Sequence, residues 1–187
     1  MNRFKLIQHP NPTISMDLGQ WIHHYYINQK RIQPSVILAN AFIDMYAKCG
    51  SLDAAAMIFN EMVERGLVSW NSMITGYASH GHATKPLVLF EEIISTGFKP
   101  DEITFVGLLL ACSHGGLVSV GREYFKGMKG NFGIEPKVEH HVCMIDLFGR
   151  MGLLEEAYEL ITKIPMEASI AAWGAFLMLV EGMGMLR

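Results

Sequence analysis

The sequence lacks the features that define several classes of protein. It has only three cysteines, Cys49, Cys112 and Cys143. They are too few and too far apart for a disulfide framework or a Cys-x-x-Cys metal pair, so we expect a reducing compartment. Neither sign of charge dominates, because 15 Lys and Arg stand against 18 Asp and Glu, which excludes a strongly basic protein that holds nucleic acid by charge alone. The uncharged apolar stretch 168–180 has 13 residues, whereas a membrane-spanning helix needs about 20. We therefore expect a soluble protein.

What the sequence does contain is a set of internal repeats. Half of the 187 residues are hydrophobic, too large a fraction for a disordered chain. The tetrapeptide Asn40-Ala-Phe-Ile43 has counterparts at spacings of 31, 35 and 36 residues. When the repeats are aligned, each column holds the residues at one equivalent position. The same three spacings separate the members of four further columns: Gly50, Gly81, Gly116 and Gly152; Phe59, Phe90, Phe125 and Ile161; Met62, Ile93, Met128 and Ile164; Ala39, Trp70, Phe105 and His141. Shared unequal spacings of this kind identify a repeat protein.

Each repeat has the pattern of two helices. In the first complete repeat, Phe42, Ile43 and Tyr46 recur at helical spacing, and Gly50 follows as a residue that tolerates positive φ. Ser51 is a candidate N-cap for a second helix, whose apolar stripe comprises Leu52, Ala55, Ile58, Phe59 and Met62. No alternating pattern indicates strands. The sequence therefore predicts an all-α fold, an α-solenoid of stacked helix–turn–helix repeats.

The columns also predict the boundaries of the repeats. Four complete repeats are expected at 36–66, 67–101, 102–137 and 138–169, and 17–35 is expected to be the second helix of a partial repeat. Residues 1–16 are interpreted as an N-terminal segment, for targeting or from a truncated repeat, and 170–187 as a truncated extension. Pro86 falls in a column otherwise held by Ala55, Gly121 and Ala157, so we expect it to kink the second helix of its repeat.

These motifs resemble the pentatricopeptide repeat family, and within it the plant type that alternates short, standard and long repeats. The segment 40–53, Asn-Ala-Phe-Ile-Asp-Met-Tyr-Ala-Lys-Cys-Gly-Ser-Leu-Asp, resembles the short repeat. The segment 68–77 resembles the standard repeat, and 102–105 with 111–114 resembles the long one. Residues 152–160 and 172–175 resemble a last short repeat followed by the family's C-terminal E-type extension. The Trp-x-x-Leu-Gly-x-x-Tyr pattern of tetratricopeptide repeats is missing. The resemblance implies a right-handed α-solenoid.

The resemblance further implies sequence-selective binding of single-stranded RNA, with one base recognised by each repeat. In the family, a residue early in the first helix and the last residue of the repeat bond to the base, and an apolar residue three positions before the early one packs on it. In repeat 67–101 these positions hold Asn71, Asp101 and Val68. The Asn/Asp pair resembles the family's preference for uracil.

The other repeats match this pattern less fully. Repeat 36–66 has Ile37 and Asn40 but ends at Gly66. Repeat 102–137 has Ile103 and Val106, and a valine side chain offers no hydrogen bond. Repeat 138–169 has Val142 at the early position and Glu139 at the packing position, where a carboxylate would repel phosphate.

Catalytic and metal sites are not indicated. The zinc deaminases that act on RNA bases need His-x-Glu and a later Pro-Cys-x-x-Cys, which this sequence lacks, so we predict no enzyme activity, no cofactor and no metal. The pairs His80/His82 and His140/His141 suggest metal ligands at first sight. Their columns also contain apolar residues, so a packing role is favoured. Asn40 and Asn71 have an alternative interpretation as polar residues that bond within their own helix, and Trp70 and Trp173 are interpreted as packing residues.

The sequence thus favours an RNA-binding adaptor over two alternatives. By resemblance, the adaptor would act in a mitochondrion or, alternatively, a chloroplast, in C-to-U editing or another step of transcript maturation. A separate deaminase or another editing-complex protein would then be its partner, and neither DNA nor membrane is an expected partner. The first alternative is a protein-interaction scaffold or subunit of an organellar complex without RNA recognition, which the negative net charge and the two valines favour. The second is a truncated gene product with little function.

Overall fold

The computed structural model describes residues 18–25, 34–164, 170, 172–174 and 176–177. The predictions for 1–16, for 26–33 and for most of 170–187 lie outside these ranges. The helices within them are α1 (Val36–Lys48), α2 (Leu52–Glu61), α3 (Leu67–Ser79), α4 (Thr84–Ser95), α5 (Glu102–Gly115), α6 (Val118–Phe132), α7 (Val138–Arg150) and α8 (Leu154–Thr162). Residues 18–25 are helical too, and the described ranges contain no strand. The prediction of an all-α fold is confirmed. Each helix in this part of the chain is too short or too polar to cross a bilayer.

The chain divides into two compact units, of which the first is Met1–Met73. Its core is formed where α1 and α2 pack as a hairpin, and Ile43 and Ala55 are fully enclosed there. The ring of Phe59 meets Trp70, at the start of α3, edge to face at 4.8 Å. Helix 18–25 contacts α1 through His23, whose Nδ1 lies 3.1 Å from the Tyr46 hydroxyl oxygen. Burial lowers the pKa of His23, so the imidazole is held neutral among aromatic rings.

The second unit is Ile74–Arg187. Helices α5 and α6 form one hairpin and α7 and α8 another, and α5 packs along α7. The core between these helices consists of large side chains with no exposed surface, namely Phe105, Leu108, Leu109, Met128, Ile145 and Leu147. Gly121 allows the close approach of α6 and α7, since a Cβ there would lie 2.6 Å from Leu147 Cδ2. Helix hairpins of this kind bury their apolar faces only by stacking on one another.

The repeated glycines end helices as their column predicts. Gly50, Gly81, Gly116 and Gly152 have φ of 77°, 78°, 65° and 75°, the left-handed conformation that side chains disfavour. The expectation at Ser51 holds only in part, because Ser51 occupies the N-cap of α2 but its side chain makes no capping hydrogen bond.

The kink expected at Pro86 is wrong. Pro86 is the third residue of α4, which begins at Thr84. The first four N–H groups of a helix have no partner within it, so a proline in the first turn removes no hydrogen bond. Pro86 shares a sequence column with Ala55, the fourth residue of α2, but α4 begins only two residues before Pro86.

Candidate nucleic-acid interface

Three first helices expose a branched apolar side chain at their second residue. Ile37 of α1 is 83% exposed, Val68 of α3 63% and Ile103 of α5 58%. Two residues further on, Ala39, Trp70 and Phe105 are buried. Residues two apart on a helix point in nearly opposite directions, because each residue turns by about 100°. The second residue of each of these helices therefore faces away from the core. In α7 the same position holds the exposed carboxylate of Glu139.

The fifth residue of each first helix lies at the border of the buried region. Asn71 is only 6% exposed, and Asn40, Val106 and Val142 are half-buried. Val106 and Val142 pack against the core of the second unit. Asn40 Oδ1 and Trp70 Nε1 are the buried side-chain polar atoms of the described ranges that lack a hydrogen-bond partner. The fifth-position amides of Asn40 and Asn71 thus have little surface in contact with solvent. The apolar second residues of the same helices have most of their surface in contact with solvent.

Asp101, the last residue of its repeat, is the N-cap of α5. Its Oδ1 accepts hydrogen bonds from Thr104 N at 2.9 Å and from the Thr104 hydroxyl at 3.0 Å. The Asp101 N–H in turn donates to Thr104 Oγ1 at 3.1 Å. This is a capping box, in which the N-cap and third helical residues satisfy each other's backbone groups.

The last residues of the other repeats occupy the same place before the next helix. The Gly66 N–H donates to Ser69 Oγ at 3.3 Å before α3, and the Lys137 N–H donates to His140 Nδ1 at 2.9 Å before α7. The Lys137 ammonium also pairs with Glu102 at 2.5 Å. Its hydrogen bond to that carboxylate raises the pKa of Lys137. The positive charge at this position is therefore engaged within the protein.

The histidines make structural contacts. His140 is buried and bonds to two backbone groups, whereas the ring of His141 meets Phe125 edge to face at 5.1 Å. His80, which follows α3 directly, has its Nδ1 2.9 Å from the carbonyl oxygen of Gly76 in that helix. In the part of the chain that the structure describes, no group of three or more His, Cys, Asp or Glu could hold a metal ion. Burial raises the pKa of Cys112 to about 11 and that of Cys143 to about 12, so both thiols stay protonated and are poor ligands at neutral pH.

The third residues of α3, α5 and α7 were not among the predicted base-contacting residues. Ser69, Thr104 and His140 each accept a hydrogen bond from the backbone N–H of the residue before the helix. The signal was available, because Asp101 followed three residues later by Thr104 resembles a capping box.

Comparisons with known proteins identify repeats in this chain. A sequence model of the PPR repeat family matches residues 65–114, and a model of the PPR repeat matches 37–67 and 140–167. Together these matches take in more than half of the chain. A mitochondrial pentatricopeptide repeat-containing protein of Arabidopsis thaliana is 45% identical over 163 residues, which is 87% of this chain and 24% of that protein. The chloroplastic pentatricopeptide repeat-containing protein ELI1 of the same plant is 43% identical over 164 residues, or 87% and 26%.

Solved structures show the same fold. The crystal structure of the pentatricopeptide repeat protein PPR10 in complex with an 18-nt psaJ RNA element superimposes with a TM-score of 0.75 at 21% identity. The match takes in 93% of this chain and 27% of that one. The crystal structure of PPR10 from maize gives a TM-score of 0.62, also at 21% identity, over 89% of this chain and 26% of that one. The chain spans about a quarter of the length of the proteins it matches.

Proposed function

Because the chain belongs to the pentatricopeptide repeat family, we propose that it is an adaptor that binds single-stranded RNA with sequence selectivity. The family assignment rests on the repeat matches over more than half of the chain. The fold supports the proposal, since PPR10, which superimposes on this chain, was crystallised with an RNA element. A helical-repeat protein recognises unstacked bases, one for each repeat, through a few side chains of each first helix.

The observation that carries the proposal is the exposed apolar second residue of α1, α3 and α5. Ile37, Val68 and Ile103 lie in water at equivalent positions, although nearby residues of the same helices are buried. A branched aliphatic side chain that faces solvent adds nothing to the core, but it can pack on the face of a base. Packing of this kind tolerates any base, so it would support affinity more than selectivity.

Selectivity is proposed to come from Asn71 and Asp101, with Val68 packing on the same base. Asn71 offers both a donor and an acceptor to a pyrimidine edge, and Asp101 offers acceptors only. The pair resembles the family's combination for uracil. Since Asn71 is 6% exposed, its amide would meet only the edge of a base. Asn40 of repeat 36–66 and Val106 of repeat 102–137 are proposed to border neighbouring bases with weaker selectivity.

The biological setting is also a proposal. Relatives from Arabidopsis thaliana include mitochondrial and chloroplastic proteins, which supports action in an organelle, with the mitochondrion as the first choice. The chain would guide a step of transcript maturation, such as C-to-U editing. A separate deaminase or another editing-complex protein is the proposed partner that would then perform the chemistry.

One set of residues favours the alternative of a protein-interaction scaffold. In α7 the second residue is Glu139, which is exposed, and the fifth is Val142, which packs against the core. Lys137, the last residue of the preceding repeat 102–137, is paired with Glu102, so its charge is engaged within the protein. Repeat 138–169 therefore offers neither an apolar platform nor a polar edge to a base, and this part of the surface suits a protein better than RNA.

Two valines provide a matched test of RNA binding. Val68 is the proposed platform, whereas Val63 lies between α2 and α3 and is 85% exposed. We expect Val68→Ala to weaken binding of a uridine-rich single strand by about tenfold, the effect of losing one stacking contact. Val63→Ala removes the same atoms from water elsewhere and should leave binding unchanged. Equal dissociation constants for the two variants and the natural protein would exclude the proposed platform.

A further inference from the structure

The reciprocal contact of Thr104 with Asp101 has a consequence for base recognition. Building on the proposed function, we propose that Thr104 is a positioning residue that fixes the Asp101 carboxylate toward the base recognised by repeat 67–101. Thr104 itself is fully buried and would not touch RNA. It would act through Asp101, which stands at the N-terminus of α5.

The contact restrains Asp101 at three points. One carboxylate oxygen, Oδ1, accepts from both the backbone N–H and the hydroxyl of Thr104, at 2.9 and 3.0 Å. The backbone N–H of Asp101 donates to the same hydroxyl oxygen at 3.1 Å. A side chain that is anchored through one oxygen cannot rotate about χ1 or χ2 without losing these bonds. The other oxygen, Oδ2, is thereby held in one orientation.

The other repeats of the described chain lack this restraint. Before α1, the Ser35 hydroxyl accepts from Leu38 N at 3.4 Å, and leucine cannot bond back. Before α3 stands Gly66, which has no side chain to orient. Before α7, His140 accepts from the Lys137 backbone, while the Lys137 side chain pairs with Glu102. Among the described first helices, only α5 has a third residue, Thr104, that bonds to both the backbone and the side chain of the N-cap residue before it.

Orientation matters because uracil and cytosine differ at one edge. Uracil carries an N3–H donor where cytosine has an acceptor, so a fixed carboxylate oxygen attracts the first and repels the second. A carboxylate that can rotate away from cytosine avoids the repulsion and discriminates less. Loss of the Thr104 hydroxyl should therefore reduce the preference for uracil more than it reduces overall binding.

The test compares Thr104→Val with Thr104→Ser. Valine has the shape of threonine without the hydroxyl, whereas serine retains the hydroxyl. The probe is a set of single-stranded RNAs in which each uridine is replaced by cytidine in turn, and the readout is the ratio of the two dissociation constants at each position. We expect Thr104→Val to lower the largest ratio by about tenfold, the worth of one hydrogen bond to a charged group. Thr104→Ser should keep the ratio of the natural protein.

Two comparisons separate this inference from the proposed function. If the natural protein shows no ratio above one at any position, the proposed function and the inference both fall. If Asp101→Asn removes the ratio but Thr104→Val retains it, Asp101 recognises the base without positioning and the inference alone is wrong. Thermal unfolding of each variant is followed in parallel, and Thr104→Ala replaces Thr104→Val if valine prevents folding. An equal loss of affinity for both bases would indicate a merely structural role and would overturn the inference.

Discussion

The imidazole of His140 joins two successive repeats, with its Nε2 2.9 Å from the backbone carbonyl oxygen of Glu102. Its Nδ1 accepts a hydrogen bond from the Lys137 N–H, so the ring proton must be on Nε2, which donates to Glu102. The ring is buried, and both nitrogen atoms are satisfied. One side chain therefore caps the start of α7 and ties that helix to the start of α5.

Replacing His140 should destabilise the second unit. His140→Ala leaves the Lys137 N–H and the Glu102 carbonyl without their partner and opens space in a buried site. We expect the free energy of unfolding to fall by about 2–4 kcal/mol, measured by urea denaturation. His141→Ala is the matched control, because its ring is only half-buried and its hydrogen bond is local, to the carbonyl oxygen of the N-cap residue Lys137. An equal loss for the two variants would show that the hydrogen bonds of His140 to Lys137 and Glu102 add nothing beyond the packing of a ring.

Gly107 and Gly130 should respond in opposite ways to alanine. A Cβ at Gly107 would lie 2.6 Å from Ile74 Cγ2 and 3.4 Å from the backbone nitrogen of Thr75. Since Ile74 is fully buried, Gly107→Ala should lower the free energy of unfolding by about 1–3 kcal/mol. At Gly130, within α6, no described atom lies within 4 Å of the added Cβ. There alanine should raise stability by about 0.5–1 kcal/mol. A gain at Gly107 in thermal unfolding would contradict the close approach of α3 and α5.

Replacing Pro86 should change the free energy of unfolding very little, whereas a proline introduced further inside the helix should lower it. Because Pro86 is in the first turn of α4, Pro86→Ala restores no hydrogen bond. The change should cost at most about 1 kcal/mol, through the greater freedom of the unfolded chain. Val88 is two residues further on and exposed, and Val88→Pro should cost about 3 kcal/mol. The helix content of the two variants would be measured by circular dichroism, and their free energies of unfolding by urea denaturation. Marked stabilisation by Pro86→Ala would indicate a strained proline.

The cysteines should differ in reactivity. Burial raises the pKa of Cys112 to about 11 and of Cys143 to about 12, so at pH about 8 neither forms the reactive thiolate in the folded protein. Cys49 is partly exposed. Iodoacetamide followed by mass spectrometry should therefore label Cys49 first, and all three cysteines after denaturation. Rapid labelling of Cys143 in the native protein would contradict its burial, with its sulfur 3.9 Å from the carbonyl oxygen of Val106.

The repeat columns predicted the helices well because they report on packing. Phe105, His141 and Trp70 share a column, and all three lie against residues of a second helix. The glycine column predicted the left-handed helix ends because glycine adopts positive φ without the steric cost that a side chain would add. Pro86 was misjudged because its effect depends on where α4 begins, and helix ends are set by local hydrogen bonds that the columns do not specify.

The candidate interface was less predictable from the sequence. The exposure of Ile37, Val68 and Ile103 follows from their spacing to buried residues, so the apolar positions could be identified. The burial of Asn71 could not, because it depends on the side chains that surround the fifth position in three dimensions. The bonds between Thr104 and Asp101 depend on two rotamers, and residue spacing suggests such a pair without showing that both bonds form.

Recognition of bases by this chain can be measured by equilibrium binding at two salt concentrations. A uridine-rich and a uridine-free single-stranded RNA of equal length would be titrated with the natural protein, at about 50 and 200 mM salt. The proposed selectivity predicts at least about tenfold tighter binding of the uridine-rich strand, with a ratio that changes little with salt. Asn71→Ala should remove most of that ratio. Equal binding of both strands with a steep salt dependence, or no binding of either at low salt, would contradict recognition of bases by this chain.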